Sequence, residues 1–365
     1  MADLSALEKH ACAACGAQAE WNPSKQLLVC PFCGTATPFT VDEKSGEIVE
    51  HDLARALREL PDSARGWQAE KRTVQCKSCK AVSVFDPERV GQNCDFCGSP
   101  ALVDYTEIKA PVRPQSLLTF KVPESQVREQ IRKWYASKWF APNALKTKAL
   151  VDRVHGVYIP YWTFDAQAVC PWDADAGYYY YTTESYRDDK GNVQTRQVRH
   201  VRWEPASGEV QHFFDDEPVP GTQGVSHALL KQIEPFPTTT DLVPYDTAYL
   251  SGFVVEHYQI VLVDAAERSH QSMTTQLRDM CAAEVPGDTH RNLEIHPQFS
   301  GETFKHILVP VWLLSYLYRS TSYQVVVNGY TGRMAGQYPK SAWKIFFVVL
   351  AVLIVGIIIL MLNNQ

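Results

Sequence analysis

"LLVCPFCGTA", Leu27 to Ala36, sets two thiols two residues apart and closes them with a glycine. Working outward, the same spacing recurs at Cys12/Cys15, Cys76/Cys79 and Cys94/Cys97, so eight of the ten cysteines fall in four C-x-x-C pairs. The pairs are ordered as two sets, each reading C-x2-C-x14-C-x2-C-G, and the second set starts 64 residues after the first (76 − 12 = 64). "EWNP" (Glu20 to Pro23) is matched at that offset by "VFDP" (Val84 to Pro87), and Gly34 by Gly98. A fixed period of this kind marks an internal repeat.

Two residues between ligands let a tight turn aim both sulfurs at one point, and the following glycine lets backbone N–H groups approach the sulfur. Two knuckles face to face close a tetrahedral four-sulfur shell, which zinc accepts. The spacing predicts one Zn²⁺ at Cys12, Cys15, Cys30 and Cys33 and a second at Cys76, Cys79, Cys94 and Cys97. A filled shell has no open position for water, so both sites are expected to be structural. Iron in a rubredoxin-like site uses the same knuckles, and the spacing leaves that metal open. Disulfides would need an oxidising compartment, and "MADLSALEKHACAACG" has no apolar signal-peptide core. A redox motif would stand once beside a βαβ pattern, not four times in zinc register.

Charge narrows the partners. Residues 1–110 carry 12 Lys/Arg against 16 Asp/Glu, and the whole chain has a formal net charge of −6. Phosphate binding asks for the opposite balance, so nucleic acid is an unlikely partner.

At the far end, "IFFVVLAVLIVGIIILML", Ile345 to Leu362, runs eighteen residues without a polar side chain. At about 1.5 Å per residue it covers about 27 Å, the thickness of a bilayer core. Trp343, Lys340 and Lys344 precede it as interfacial and positive-inside signals. The sequence therefore predicts a tail-anchored chain in the inner (cytoplasmic) membrane, single-pass through residues 345–362, with its body in the cytoplasm.

Between ribbons and anchor, 45% apolar content across the chain supports a folded body. "DLARALRELP" has helical spacing at Leu53, Ala56, Leu57 and Leu60 and ends at Pro61. A second helix starts at Pro123, with Val127, Ile131 and Trp134 on one face. The segment from Lys121 to Arg153 has eight Lys/Arg against three Asp/Glu, read first as the solvated face of a packed helix and second as a lipid-facing element. Strand-like runs follow, with a hairpin turn at "DDKGN" (Asp188 to Asn192), a long helix at about Ala265 to Glu284 and a turn at Asn328–Gly329. "VYIPYW" (Val157 to Trp162) and "ILVPVW" (Ile307 to Trp312) share an apolar-Pro-apolar-Trp core at offset 150, which suggests two related units. Their prolines point to edge strands or strand starts. The fold class expected is α+β: zinc ribbon 1 (1–50), a helical linker (51–70), zinc ribbon 2 (71–108), a first α+β unit (109–222), a second (223–340) and a transmembrane helix (343–362).

No active site is legible. No glycine is followed by lysine, so a P-loop is absent, and neither H-E-x-x-H nor G-x-S-x-G occurs. Asp215/Asp216 and Glu256/His257 read as solvated groups beside turns and strand ends. Cys281, among Met280, Ala282 and Ala283, reads as a small buried hydrophobe, and Cys170, before Pro171 and Trp172, as a strand-end thiol open to solvent. The chain is expected not to be an enzyme.

The twin ribbons, "KWFAPNALK" (Lys138 to Lys146), "GVYIPYWTFDA", "FFDD" and "FKHILVPVWLLSYLYRSTSYQVVVNGYTG" ahead of an apolar terminus resemble bacterial membrane-anchored zinc-ribbon proteins. These are often labelled transcription-factor-type zinc-ribbon proteins or primosomal protein N′ (replication factor Y)-like. The resemblance implies an adaptor or scaffold that recruits protein partners to the membrane, of the stomatin/flotillin-like or phage-shock-protein-A-like kind, in a membrane-stress assembly. The label itself implies the alternative, a membrane-tethered nucleic-acid-binding protein; without a P-loop it would lack helicase activity.

Overall fold

The structure, a computed structural model, describes residues 10–37, 48–59, 72–77, 81–85, 94, 96, 102–104, 112–142, 154–187, 193–318 and 321–363. Cys79, Cys97 and the expected turn at Asp188 to Asn192 lie outside the described residues.

The first ribbon is a three-stranded antiparallel sheet of β1 (Glu20–Asn22), β2 (Leu27–Val29) and β3 (Ala36–Thr37). Strand β4 (His51–Asp52) leads into α1 (Leu53–Glu59), whose first turn is capped by the Asp52 carboxylate accepting from the Arg55 N–H at 2.6 Å. A second small sheet follows, β5 (Arg72–Cys76), β6 (Val82–Phe85) and β7 (Leu102–Asp104), in the order β6-β5-β7. The body begins with β8 (Ser116–Leu117) and α2 (Glu124–Ser137), then β9 (Val154–Arg187), β10 (Val193–Pro220) and α3 (His227–Ile233). It continues through β11 (Val243–Pro244), β12 (Val254–Val255), α4 (Leu262–Glu284), β13 (Thr289–Ile295), β14 (Gln298–Tyr318), β15 (Thr321–Asn328), β16 (Met334–Gly336) and α5 (Ala342–Asn363).

This corrects the α+β expectation, because the chain is mostly β. A ten-stranded sheet with the central order β10-β9-β14-β15-β16 forms the body. The two Pro-Trp motifs do not head separate units. They are neighbours in that one sheet, β9 antiparallel to β14, with Ile159 opposite Val309, Pro160 opposite Leu308 and Tyr158 opposite Pro310.

Nor are the prolines on edge strands. Pro160 lies in the gap between the end of the β10 pairing at Tyr161 and the short β12 pairing at Tyr158. Pro310 lies likewise between β8, which pairs as far as Leu308, and β15, which pairs from Val311. A residue without an N–H is tolerated where one partner strand has stopped and the next has not begun. Each proline carbonyl is still used, by Gly221 N–H and Gly329 N–H respectively, both at 2.8 Å.

Alternation along β9 and β14 sends successive side chains to opposite faces. On one face Tyr158, Leu308, Trp312 and Leu314 pack with Val127, Ile131 and Tyr135 of α2 and with Ala19, Trp21 and Leu28 of the first ribbon. On the other, Val157, Ile159, Val309, Val311 and Leu313 pack with Leu229, Leu230 and Ile233 of α3 and with Cys76, Ala81, Cys94 and Phe96 of the second small sheet. The two small sheets therefore clasp the central one from opposite sides. Farther along β9, α4 and Leu53 of α1 cover a third cluster around Trp162, Phe164, Phe214 and Phe304. The predicted helices at Leu53, Pro123 and Ala265 to Glu284 are present, with α4 starting at Leu262. In α2 the pairs Glu124–Arg128 and Glu129–Lys133 hold the polar face.

The expected membrane span is also corrected. The terminal segment forms α5, yet among the described residues no helix is long and apolar enough to cross a membrane. Within the first turn, Lys344 donates to the carbonyls of Trp139 and Ala141 at 3.0 and 2.8 Å, which ties the helix start to the segment after α2. Side chains such as Phe346, Phe347 and Val352 are exposed. The single-pass, inner-membrane location and the bilayer contact through residues 345–362 lose their basis with this finding.

Candidate metal centre

Cys12, Cys15, Cys30 and Cys33 converge so that all four sulfurs lie within 4.8 Å of one another. Cys12 and Cys33 are 3.5 Å apart, as are Cys15 and Cys30. A tetrahedral Zn–S₄ shell with bonds of about 2.3 Å needs sulfurs about 3.8 Å apart. The donor set and its spread fit one zinc ion.

The knuckles are built alike. Cys12 N–H donates to Ala17 O and Cys30 N–H to Thr35 O; Gly16 N–H donates to Cys12 O and Gly34 N–H to Cys30 O, all between 2.7 and 3.0 Å. Gly16 and Gly34 both sit at φ +72°, the left-handed turn that swings each knuckle shut. Side-chain and backbone hydrogen bonds from Thr35 hold the Cys33 thiol down to about 6. Ala17's backbone pulls Cys15 down as well, but the thiols of Cys30 and Cys33 outweigh it and push Cys15 up to about 12. Four thiols this close ionise together only when a cation sits among them. A bound zinc would supply that charge and close the fold, with no position left for substrate.

The site is half sunk into the body. Cys12 and Cys30 are buried while Cys15 and Cys33 face solvent, and Phe32 at the second knuckle tip is 82% exposed. Trp21 N–H donates to Ser251 O, Ser251 Oγ to Ala19 O and Gln26 Nε2 to Phe120 O, and the Trp21 ring meets Tyr249 edge-on at 4.8 Å. These bonds fasten the ribbon to the sheet.

Of the second predicted ligand set, Cys76 and Cys94 are described and buried. The local geometry repeats: Cys76 N–H donates to Ala81 O at 2.9 Å, as Cys12 does to Ala17. The bridge Ala11 to Gln18 likewise returns as Gln75 to Val82, each shifted by 64 residues (11 + 64 = 75; 18 + 64 = 82).

Of the acid–base pairs expected at the surface, Asp215 is exposed, whereas Asp216, Glu256 and His257 are buried. Asp216 is 4% exposed, turned inward at φ +55° by a bulge between Phe214 and Glu217. Glu256 is 1% and His257 6% exposed. Glu256 Oε1 accepts from Thr222 Oγ1 at 2.8 Å and Gln259 Nε2 at 3.1 Å, and Oε2 has no hydrogen-bond partner among the described residues. This carboxyl sits against the second small sheet at Gly224, where a Cβ would lie 2.6 Å from Ala81 Cβ and 3.1 Å from Glu256 Oε1. Sequence reasoning missed it because nothing local to "VVEHYQ" signals burial.

Burial lifts the Glu256 carboxyl from 4.5 to about 8. The native chain thus keeps a proton that the unfolded chain gives up above about 4.5, and stability falls as pH rises from there toward 8. Burial lowers His257 and His306 from 6.5 to about 4, so they cost stability in the opposite direction, as pH drops below 6.5. Glu256→Gln is expected to remove the alkaline loss alone. Its advantage over the natural chain in urea unfolding should grow between pH 5 and 8 by up to about 1.4 kcal/mol per unit. An advantage that does not change with pH would place the proton elsewhere.

Fold and site together define a β-rich protein with a four-cysteine clasp of zinc-ribbon type. No protein family profile matches the chain, and no solved structure does. It is similar to the uncharacterized protein YdjG of Bacillus subtilis (strain 168), 24% identical over 249 residues that span 68% of this chain and 70% of that protein.

Proposed function

We propose that this protein is a zinc-stapled adaptor that takes protein partners on a long exposed hairpin. The observation that carries the reading is the distal part of β9 and β10. β13 pairs with β9 only as far as Gly177, so among the described residues Tyr178–Arg187 of β9 and Val193–Arg202 of β10 pair only with each other, over about 33 Å on the β9 side. One face carries Tyr178, Tyr180, Tyr186, Arg196 and Arg202, and the other Tyr179, Tyr181 and Arg199. Tyr180, Tyr181 and Tyr186 are 45–61% exposed. Arg199 lies 4.4 Å over the Tyr179 ring, and Glu184 pairs with Arg196. Tyrosine and arginine are the residues that dominate protein interfaces, and holding them rigid lowers the entropy cost of binding. Phe32, on the second knuckle of the first ribbon, offers a second anchor.

The second zinc belongs to the same proposal, at Cys76, Cys79, Cys94 and Cys97, supported by the repeated Cys76 to Ala81 hydrogen bond. The chain would act by binding and not by catalysis. Partners of the stomatin/flotillin-like or phage-shock-protein-A-like kind are those that the sequence resemblance implies.

Tyr180→Ser/Tyr181→Ser/Arg199→Ser should leave zinc content and fold unchanged and reduce recovery of protein partners from the native cell more than about tenfold, the loss expected from hot-spot residues. Equal recovery would sink the adaptor reading for the arm. The arm's five Lys/Arg against three Asp/Glu between residues 178 and 202 favour a second reading, single-stranded nucleic acid. Oligonucleotide affinity that falls steeply with salt and vanishes in the same variant would establish that reading instead.

A further inference from the structure

Cys170 and Cys281 are 111 residues apart in sequence, yet their sulfurs lie 3.7 Å from each other. Neither thiol has any exposed surface, which corrects the reading of Cys170 as open to solvent. Met273, Leu277 and Cys281 recur every fourth residue, so they form one buried stripe of α4, and this stripe presses on the face of β9 that carries Ala168, Cys170 and Trp172. The Cys281 thiol also points at the Cys170 carbonyl, at 3.9 Å.

We propose that Cys170 and Cys281 are a dithiol modification site, which a small-molecule disulfide of the oxidised-glutathione class converts into an intramolecular cross-link between α4 and the root of the hairpin arm. The inference does not depend on the adaptor reading. One protein thiolate attacks a sulfur of the oxidant; the oxidant's S–S bond breaks, one small thiol leaves and a mixed disulfide forms. The second protein thiolate then attacks the protein sulfur of that bond and expels the second small thiol. The protein loses two electrons and two protons, and the oxidant takes up both.

Sulfurs already in contact need to close only from 3.7 Å to about 2.05 Å. Access is the slow step. Burial, ahead of the neighbouring Cys170, pushes the Cys281 thiol up to about 11, so little thiolate is present while α4 is intact. Cys281 lies in the last turn of α4, which ends at Glu284, and helix termini open most readily. The cross-link would close a long loop and lower the entropy of the unfolded chain, so the oxidised form should be the more stable.

The test uses the full-length, zinc-loaded chain, equilibrated with oxidised glutathione at about 37 °C, a temperature at which helix ends open. Free thiols are then alkylated and peptides mapped without reductant. The expected result is a peptide pair joining residues 170 and 281, a mass lower by about 2 Da for the two hydrogens lost, a raised unfolding midpoint, and reversal of all three by dithiothreitol. Cys281→Ala and Cys170→Ala should each abolish the cross-link; should either fail to fold, mapping of the natural chain still decides. Full recovery of both residues as free thiols at equilibrium would overturn the proposal. So would glutathione adducts that never resolve, or a cross-linked form that unfolds at lower temperature.

Discussion

Cys30→Ser is expected to abolish zinc binding at the first ribbon and to release that ribbon from the sheet. A structural zinc contributes about 10–16 kcal/mol of apparent binding free energy in small zinc modules, and without it such modules do not fold. Here a bound metal would close a unit whose described apolar core residues include Ala19, Trp21 and Leu28. With zinc lost, the left-handed turns at Gly16 and Gly34 keep only their backbone hydrogen bonds, and Trp21 is expected to leave its contact with Tyr249. If the proposed second site also binds zinc, the natural chain should hold about two zinc ions and the variant about one, one ion per four-sulfur shell. Protease should cut the variant within residues 10–37 while the central sheet survives, and tryptophan fluorescence should shift to the red. One zinc in the natural chain and none in the variant would confine metal to the first ribbon. Unchanged zinc in the variant would refute the assignment of Cys30 as a ligand.

Lys305→Met is expected to cost about 3–5 kcal/mol at neutral pH, the penalty for stranding a buried charge. Lys305 is 5% exposed, and its ammonium lies 2.7 Å from Asp216 Oδ1 and 3.1 Å from Glu50 Oε1. Asp165 stands beside this pair, accepting from Asp216 N–H and Thr303 Oγ1, each at 2.7 Å. Burial already holds the Asp165 carboxyl above its ordinary range, against the pull of these bonds and of Lys305. Without the ammonium, which lowers it, the Asp165 carboxyl of the native variant takes up a proton still more readily than in the unfolded chain. The deficit should therefore shrink as pH falls from 7 toward 5, because a bound proton replaces the lost charge. Urea unfolding at both pH values measures this. Lys305→Met/Asp216→Leu should recover most of the loss, since an apolar pair of similar volume removes the stranded charge. A single-variant loss under about 1 kcal/mol would mean that the cluster is hydrated and its charges screened.

What was legible in the sequence was local. Four cysteines inside 22 residues (33 − 12 + 1 = 22) determine their own meeting point, because C-x-x-C turns and short hairpins leave few other ways to satisfy thiol geometry. The 64-residue repeat was readable for the same reason, and it returns in the bridges Ala11 to Gln18 and Gln75 to Val82. Helical spacing placed α1, α2 and most of α4, since the burial of one face imposes its period on the residues themselves.

Tertiary structure alone decided the rest. The Pro-Trp motifs read as heads of two units, but the backbone groups of β9 and β14 had to be paired, and they found each other across about 150 residues. Only a sheet with partner strands that stop at Pro160 and Pro310 makes prolines acceptable at its centre. The inward turn of Asp216, the burial of Glu256 and the contact of Cys170 with Cys281 arise likewise from strands and helices brought together from distant positions. Spacing along a chain specifies chemistry that closes within a turn or a hairpin. Which faces meet, and which side chains lose their water, is set by the packing of elements whose sequence separation carries no such signal.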